Sequence, residues 1–98
     1  MQKANADSTI DAGAEIPVQL KLYASLGVYL PNGAEKNIAS LKVVSGTTIL
    51  DLLDRQNVPR ESCHLVLLNG IFQAPGVRGD AVLKANDAVA VWPPVAGG

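Results

Sequence analysis

One segment of this chain carries the marks of a helix, and segments with the marks of strands flank it on both sides. That arrangement limits the possible folds more than any other feature. Ser45-Gly46-Thr47-Thr48 interrupts an apolar run and opens the helix. Thr48 is followed three residues on by Asp51, the spacing of a capping box with Asp in the usual Glu or Gln position. Asp51 also suits the positive N-terminal end of a helix. Ile49, Leu52, Leu53 and Gln56 fall near one face, with Val58 following. Asn57 closes the helix and Pro59 stops it. The pattern predicts one amphipathic helix of about ten residues.

Upstream, Val18–Ala24 alternates: Val18, Leu20, Leu22 and Ala24 on one side, Gln19, Lys21 and Tyr23 on the other. Residues 25–37, with Pro31-Asn32-Gly33, read as a loop or wide turn. Ile38–Val44 is a second strand with Ala39, Leu41 and Val43 inward, and the two strands pair as an antiparallel hairpin. Downstream, the apolar run His64–Leu68 reads as a strand covered on both faces. Asn69-Gly70 is a strong turn signal, Ile71-Phe72-Gln73 a short returning strand, and Ala74–Gly79 a loop. Ala85-Asn86-Asp87 turns the chain into a last strand, Ala88–Trp92, with Val89 and Val91 on one side and Ala88, Ala90 and Trp92 on the other.

A lone helix between two strand pairs predicts an α+β domain: a mixed sheet of about four to five strands wrapped on one main helix, with the first and last strands as parallel central neighbours. This is a β-grasp, ubiquitin-like, arrangement. Residues 1–16, rich in Ala, Asp, Asn, Ser and Gly, read as a disordered N-terminal extension; 17–92 form the domain and 93–98 a flexible tail.

The tail is Pro93-Pro94-Val95-Ala96-Gly97-Gly98. The prolines lack an N–H and have fixed φ, so they end sheet pairing and stiffen the exit. Val95 and Ala96 add modest apolar grip. Gly97 and Gly98 carry no Cβ, so the chain can thread a narrow channel. Extended, the six residues reach at most roughly 20 Å. The α-carboxylate of Gly98, with a reference pKa of roughly 3.5, is ionised at neutral pH and has no side chain crowding it. Such a group can attack the α-phosphate of ATP to give an acyl adenylate, which sulfur or nitrogen can capture. The bland alternative is a frayed terminus.

Other chemistry is sparse. A net charge of −1 without a block of like charge argues against nucleic acid, which calls for a basic face. A single Cys permits no internal disulfide and no thiolate metal cluster, and His64 alone makes no metal site. No run reaches the length of a membrane span. The N-terminus lacks a basic region followed by an apolar core, so a cytoplasmic protein is expected. Cys63 and His64 are adjacent on a strand and point to opposite faces, so they form no catalytic dyad; Cys63 reads as a small buried hydrophobe. Asp51, Asp54 and Glu61 read as helix and loop surface charges; Lys84 and Arg78 lie near the tail and read either as partners for an acidic protein or as plain surface cations, the latter favoured. Trp92 is either a core residue or the anchor of an interface with a partner. Phe72 and Leu68 are weaker candidates for the same patch, and for Phe72 the core is favoured.

The run Leu83-Lys84-Ala85-Asn86-Asp87-Ala88-Val89-Ala90-Val91-Trp92-Pro93-Pro94-Val95-Ala96-Gly97-Gly98 resembles the end of the MoaD/ThiS family of ubiquitin-like sulfur carriers, most closely the small subunit of molybdopterin synthase. Leu22-Tyr23-Ala24 and Gly46-Thr47-Thr48 support the resemblance, which covers Val18–Gly98. Asn86 stands where the family usually has Gly before Asp87; Asn tolerates left-handed geometry, so the turn is expected to survive. Leu68-Asn69-Gly70 resembles the thiamine carriers equally.

The resemblance implies a carrier rather than an enzyme. An E1-like adenylyltransferase binds the body and adenylates Gly98. A persulfide sulfurtransferase supplies sulfur, giving a C-terminal thiocarboxylate. The tail then inserts into an acceptor enzyme, the molybdopterin synthase large subunit or a thiazole synthase. The carrier itself binds no cofactor and no metal; ATP is used by the activating partner. A ubiquitin-like modifier forming an isopeptide bond through Gly98, and a β-grasp interaction module that is never activated, are the rival readings.

Overall fold

A computed structural model of the protein describes residues 13–95. Its strands are β1 (Glu15–Leu22), β2 (Ile38–Val44), β3 (Leu65–Leu68), β4 (Ile71–Phe72) and β5 (Ala88–Trp92), with the helix α1 (Ile49–Arg55) between β2 and β3. They form a five-stranded mixed sheet in the order β2-β1-β5-β3-β4. β1 runs parallel to β5 at its centre, and the other neighbouring pairs are antiparallel. This is the β-grasp arrangement expected from the element order.

Local chemistry sets the ends of α1 as predicted. The Thr48 side chain accepts from the Asp51 N–H and the Asp51 carboxylate accepts from the Thr48 N–H, both at 3.1 Å. At the other end Asn57 has φ +63°, its N–H donates to the Asp54 carbonyl, and the Val58 N–H donates back to Leu53. That pair of bonds is a Schellman closure with Asn in the usual glycine place. Closing there makes α1 seven residues long, shorter than the periodicity predicted. Two more helix-end donors are met from across the fold: Ile49 N–H by Ala81 and Leu50 N–H by Arg78, both to backbone carbonyls.

Ile49, Leu52 and Leu53 pack on Val18, Leu20, Leu22, Val43, Val66, Val89 and Val91, all but fully buried. Leu26, Val58, Cys63 and Leu83 close the margins of this core. The turns lie where the sequence asked for them. Asn69 and Gly70 both have positive φ, as the primed hairpin turn between β3 and β4 requires. Asn86 has φ +72°, so the turn into β5 survives the absence of glycine.

Three local expectations are corrected. β1 begins at Glu15, so Glu15 and Ile16, read as extension, instead pair with Val44 and Val43. Pro17 is tolerated because Gln19 N–H points toward β5, donating to Asp87. The Pro17 nitrogen, two residues earlier, faces the same side beyond the start of β5, so no ladder bond is lost. The rest of the predicted extension, residues 1–12, lies outside the described residues. At its other end β1 stops at Leu22; Ala24 has φ +53° and begins a 3-10 turn over Ala24–Tyr29 that buries Leu26. Ala24 is therefore not an inward strand residue. Finally, β3 is buried on one face only: Val66 is fully covered, while Leu65 and Leu67 are half-buried on the open side of the sheet.

Candidate functional site

The period of two along each strand divides the sheet residues between a closed and an open face. β5 sends Val89 and Val91 into the core, so Ala90 and Trp92 stand on the open face. Leu67 pairs with Ala90 and Leu65 with Trp92, which brings both leucines to that face. Phe72 pairs with Leu67 across the β3–β4 hairpin and extends the row. Tyr23, just past β1, stacks on Trp92 with ring centroids 4.5 Å apart and planes 12° from parallel. The near-parallel stack brings the two rings within the distance at which aromatic pairs attract. The outcome is one apolar patch on the open face: Tyr23, Trp92, Leu65, Leu67, Ala90 and Phe72.

The predicted patch residues separate on this geometry. Trp92 lies on the open face, half-buried against Tyr23, and not in the core. Phe72 is 56% exposed, which corrects the preference for a core position. Leu68 belongs to the other face. It pairs with the fully buried Val89 and packs against the core, so the leucines of the apolar open-face patch are Leu65 and Leu67. The sequence does not single out Leu65 and Leu67, because the continuous run Leu65–Leu68 shows no alternation; Tyr23 is on the outward side as expected, and only its stacking on Trp92 is new. The strand partner that orients that run becomes visible only in the register with β5.

Immediately after Trp92 the chain leaves the sheet. The Trp92 carbonyl accepts from the His64 N–H at 3.0 Å, and Pro93 has no N–H with which to continue the ladder. Pro93 is half-buried, and Pro94 and Val95 are exposed, Val95 at 75%. Ala96, Gly97 and Gly98, the rest of the predicted threading segment and its reactive end, lie outside the described residues. The tail thus starts at the end of a central strand, beside the apolar patch.

The turn below β5 is tied by a compact network. Asn69 Nδ2 donates to Asp87 Oδ1 at 2.9 Å, and Asn69 Oδ1 accepts from the Ala88 N–H. Asp87 Oδ2 accepts from the Lys84 N–H at 2.7 Å. These bonds hold the start of β5 against the β3–β4 turn, which fixes the strand that carries the tail.

The remaining titratable groups do not converge. Cys63 is buried, its thiol bonded to the Pro59 carbonyl, and burial pushes its pKa up, so it stays a protonated thiol and not a nucleophilic thiolate. His64 is exposed beside it. Among the described residues no group of His, Cys, Asp and Glu could hold a metal ion. No helix among them is long and apolar enough to cross a membrane. Asp54 and Arg60 form a bidentate surface ion pair with distances of 3.1 and 2.7 Å. Arg78 is not the surface cation expected: it is 5% exposed, its guanidinium spent on backbone carbonyls.

Comparison with known proteins places this geometry. The model of the ThiS family matches residues 32–98. No curated protein matches the chain. Among solved structures, SAMP1 from Haloferax volcanii is similar at 26% identity and a TM-score of 0.59, covering 84% of this chain and 99% of its own. The small archaeal modifier protein of Methanosarcina acetivorans is similar at 23% identity and 0.58, covering 88% and 100%. A Pyrococcus furiosus protein assigned as molybdopterin converting factor subunit 1 is similar at 20% identity and 0.57, covering 82% and 99%.

Proposed function

The chain belongs to the ThiS family of small ubiquitin-like carriers and modifiers, and on that premise we propose that it is a sulfur carrier whose reactive group is the Gly98 carboxylate. The observation that carries this reading is continuity. The family match runs unbroken through β5, Trp92 and the prolines to Gly98, and β5 is held at the centre of the sheet beside an apolar patch. A partner that grips the patch has the tail root at a fixed position. The prolines reduce the entropy lost when the tail is ordered.

The chemistry divides between the tail and its partners. The open face, with Trp92 as its central anchor and Leu67, Leu65 and Phe72 around it, docks an E1-like adenylyltransferase. A Gly98 carboxylate oxygen attacks the α-phosphorus of ATP, and pyrophosphate leaves. A persulfide sulfur from a sulfurtransferase then attacks the acyl carbon of the adenylate and AMP leaves. A thiol reductant cleaves the resulting S–S bond, which frees the thiocarboxylate. Pro93, Pro94, Val95, Ala96 and Gly97 thread first the activating site and later that of the acceptor. No side chain of the carrier takes part in proton transfer, so the chain acts as a tethered reagent and not as an enzyme.

The acceptor we favour is the large subunit of molybdopterin synthase, on the Pro-Pro-Val-Ala-Gly-Gly ending, with a thiazole synthase as its rival. A second reading, conjugation of Gly98 to an amine as a modifier, draws support from the likeness to SAMP1. Intact-mass measurement after incubation with ATP, a persulfide donor and the E1-like enzyme of the host separates them. A carrier gains the increment of one sulfur replacing one oxygen, mapped to Gly98. A modifier gives isopeptide-linked adducts, and an unchanged mass overturns both. Adding one residue after Gly98 should abolish either product.

A further inference from the structure

Arg78 is the buried charged residue of the described chain, and no carboxylate pairs with it there: the ion pair among those residues is Arg60–Asp54. Charged side chains are almost never buried without a partner. Its partners are instead backbone carbonyls. Nε donates to Gln73 at 2.9 Å, Nη1 to Cys63 at 2.8 Å and Nη2, at the longer distance of 3.5 Å, to His64. Gln73 directly follows β4, and Cys63-His64 directly precede β3, so one planar fork joins both ends of the β3–β4 hairpin.

The same residue faces the other way through its backbone. The Arg78 carbonyl accepts from Leu50 N–H at 3.2 Å, in the first turn of α1. Arg78 therefore links the start of the helix to His64. The His64 N–H in turn makes the bond to Trp92 that ends the sheet just before Pro93. An apolar side chain of similar length would fill this space without the desolvation penalty of a guanidinium. What it could not do is hold several carbonyls in fixed directions.

We propose that Arg78 is a positioning residue for tail activation: by fixing His64 it sets where and in which direction the tail leaves β5, and so how Gly98 lies in the activating enzyme. The proposal rests on the sulfur-carrier reading for its readout in activity. Arg78 itself lies outside the docking patch, but the carbonyls it holds adjoin Leu65 and Phe72, so the test separates kcat from KM.

The test compares wild type, Arg78→Met and Arg78→Lys in two measurements. In ATP–pyrophosphate exchange by the host's E1-like enzyme, Arg78→Met should lower kcat by about ten- to a hundredfold, the scale of a misplaced reacting group. KM for the carrier should stay near wild type. Arg78→Lys, able to reach one carbonyl, should fall between. In native-state hydrogen exchange, the His64 amide should exchange faster in both variants while amides of β1 stay protected. Unchanged kcat, or unchanged His64 exchange, overturns the proposal. So does a loss of kcat in which β1 amides loosen in step with His64, which would mark a general stabilising role. If Arg78→Met does not fold, Arg78→Lys decides alone. If wild type itself is never adenylated, the carrier reading fails, and the exchange measurement still decides whether Arg78 governs the tail root.

Discussion

The two faces of the sheet are built from the same strands and differ by single-residue steps, yet they do different work. On the closed face Val66, Val89 and Val91 are fully buried against α1. On the open face Leu65, Leu67, Ala90 and Trp92, their immediate neighbours, remain partly exposed. Apolar residues on the first face contribute stability to the folded chain. Those on the second keep part of their apolar surface exposed, and on the proposed reading that remaining surface is what a partner would cover for binding energy. A small domain can carry both because a strand separates adjacent side chains completely.

The contrast is open to being broken. Leu53→Ala on α1 removes a fully buried side chain and should cost about 2–5 kcal/mol of unfolding free energy, read by urea titration. Trp92→Ala should instead weaken binding to the activating enzyme by about 2 kcal/mol. Its effect on folding should include about 1 kcal/mol from the lost stack on Tyr23, added to that of the apolar area Trp92 already buries. A Trp92→Ala variant that unfolds readily but still binds would put Trp92 back in the core. The sharpest comparison is between neighbours. Leu68→Ala should destabilise by about 2 kcal/mol without changing affinity, and Leu67→Ala should reduce affinity by about 1 kcal/mol with a smaller shift of the urea midpoint than Leu68→Ala. Exchanged outcomes would mean that the β3–β5 register is shifted by one residue.

The smallest effect belongs to neither face. The Arg60 hydrogen bond holds the Asp54 carboxyl below its ordinary value. The folded pKa therefore lies below the unfolded one, roughly 3.9 for Asp. The stabilisation is present above that range and fades as pH falls through the folded value. Asp54→Asn should lower Tm slightly at neutral pH, a small change for an exposed pair. The difference from wild type should vanish in acid. A difference that persists at low pH would mean that the side chain acts through something other than its charge.

Much of this was legible in the chain because it depends on residues close in sequence. The capping box of Thr48 and Asp51, the left-handed closure at Asn57, the Asn69-Gly70 hairpin turn and the Asn86 turn each involve a few consecutive residues, and each is in place. From these, the strand patterns and the element order, the β-grasp architecture followed. The Pro93-Pro94 break after Trp92 is equally local.

What the sequence could not settle was decided by groups brought together from distant positions. The run Leu65–Leu68 offers no alternation, so only its pairing with β5 tells Leu67 from Leu68. The start of β1 depends on pairing with Val43 and Val44, far along the chain. Arg78 reads as an ordinary loop cation in the sequence because its partners, the carbonyls of Cys63 and His64, lie just before another strand, far from it along the chain. Tyr23 and Trp92 meet only because the first and last strands lie side by side. Local hydrogen bonding and dihedral preference act within a few residues and can be read directly. Burial and facing are properties of the assembled sheet, fixed only when its register is chosen.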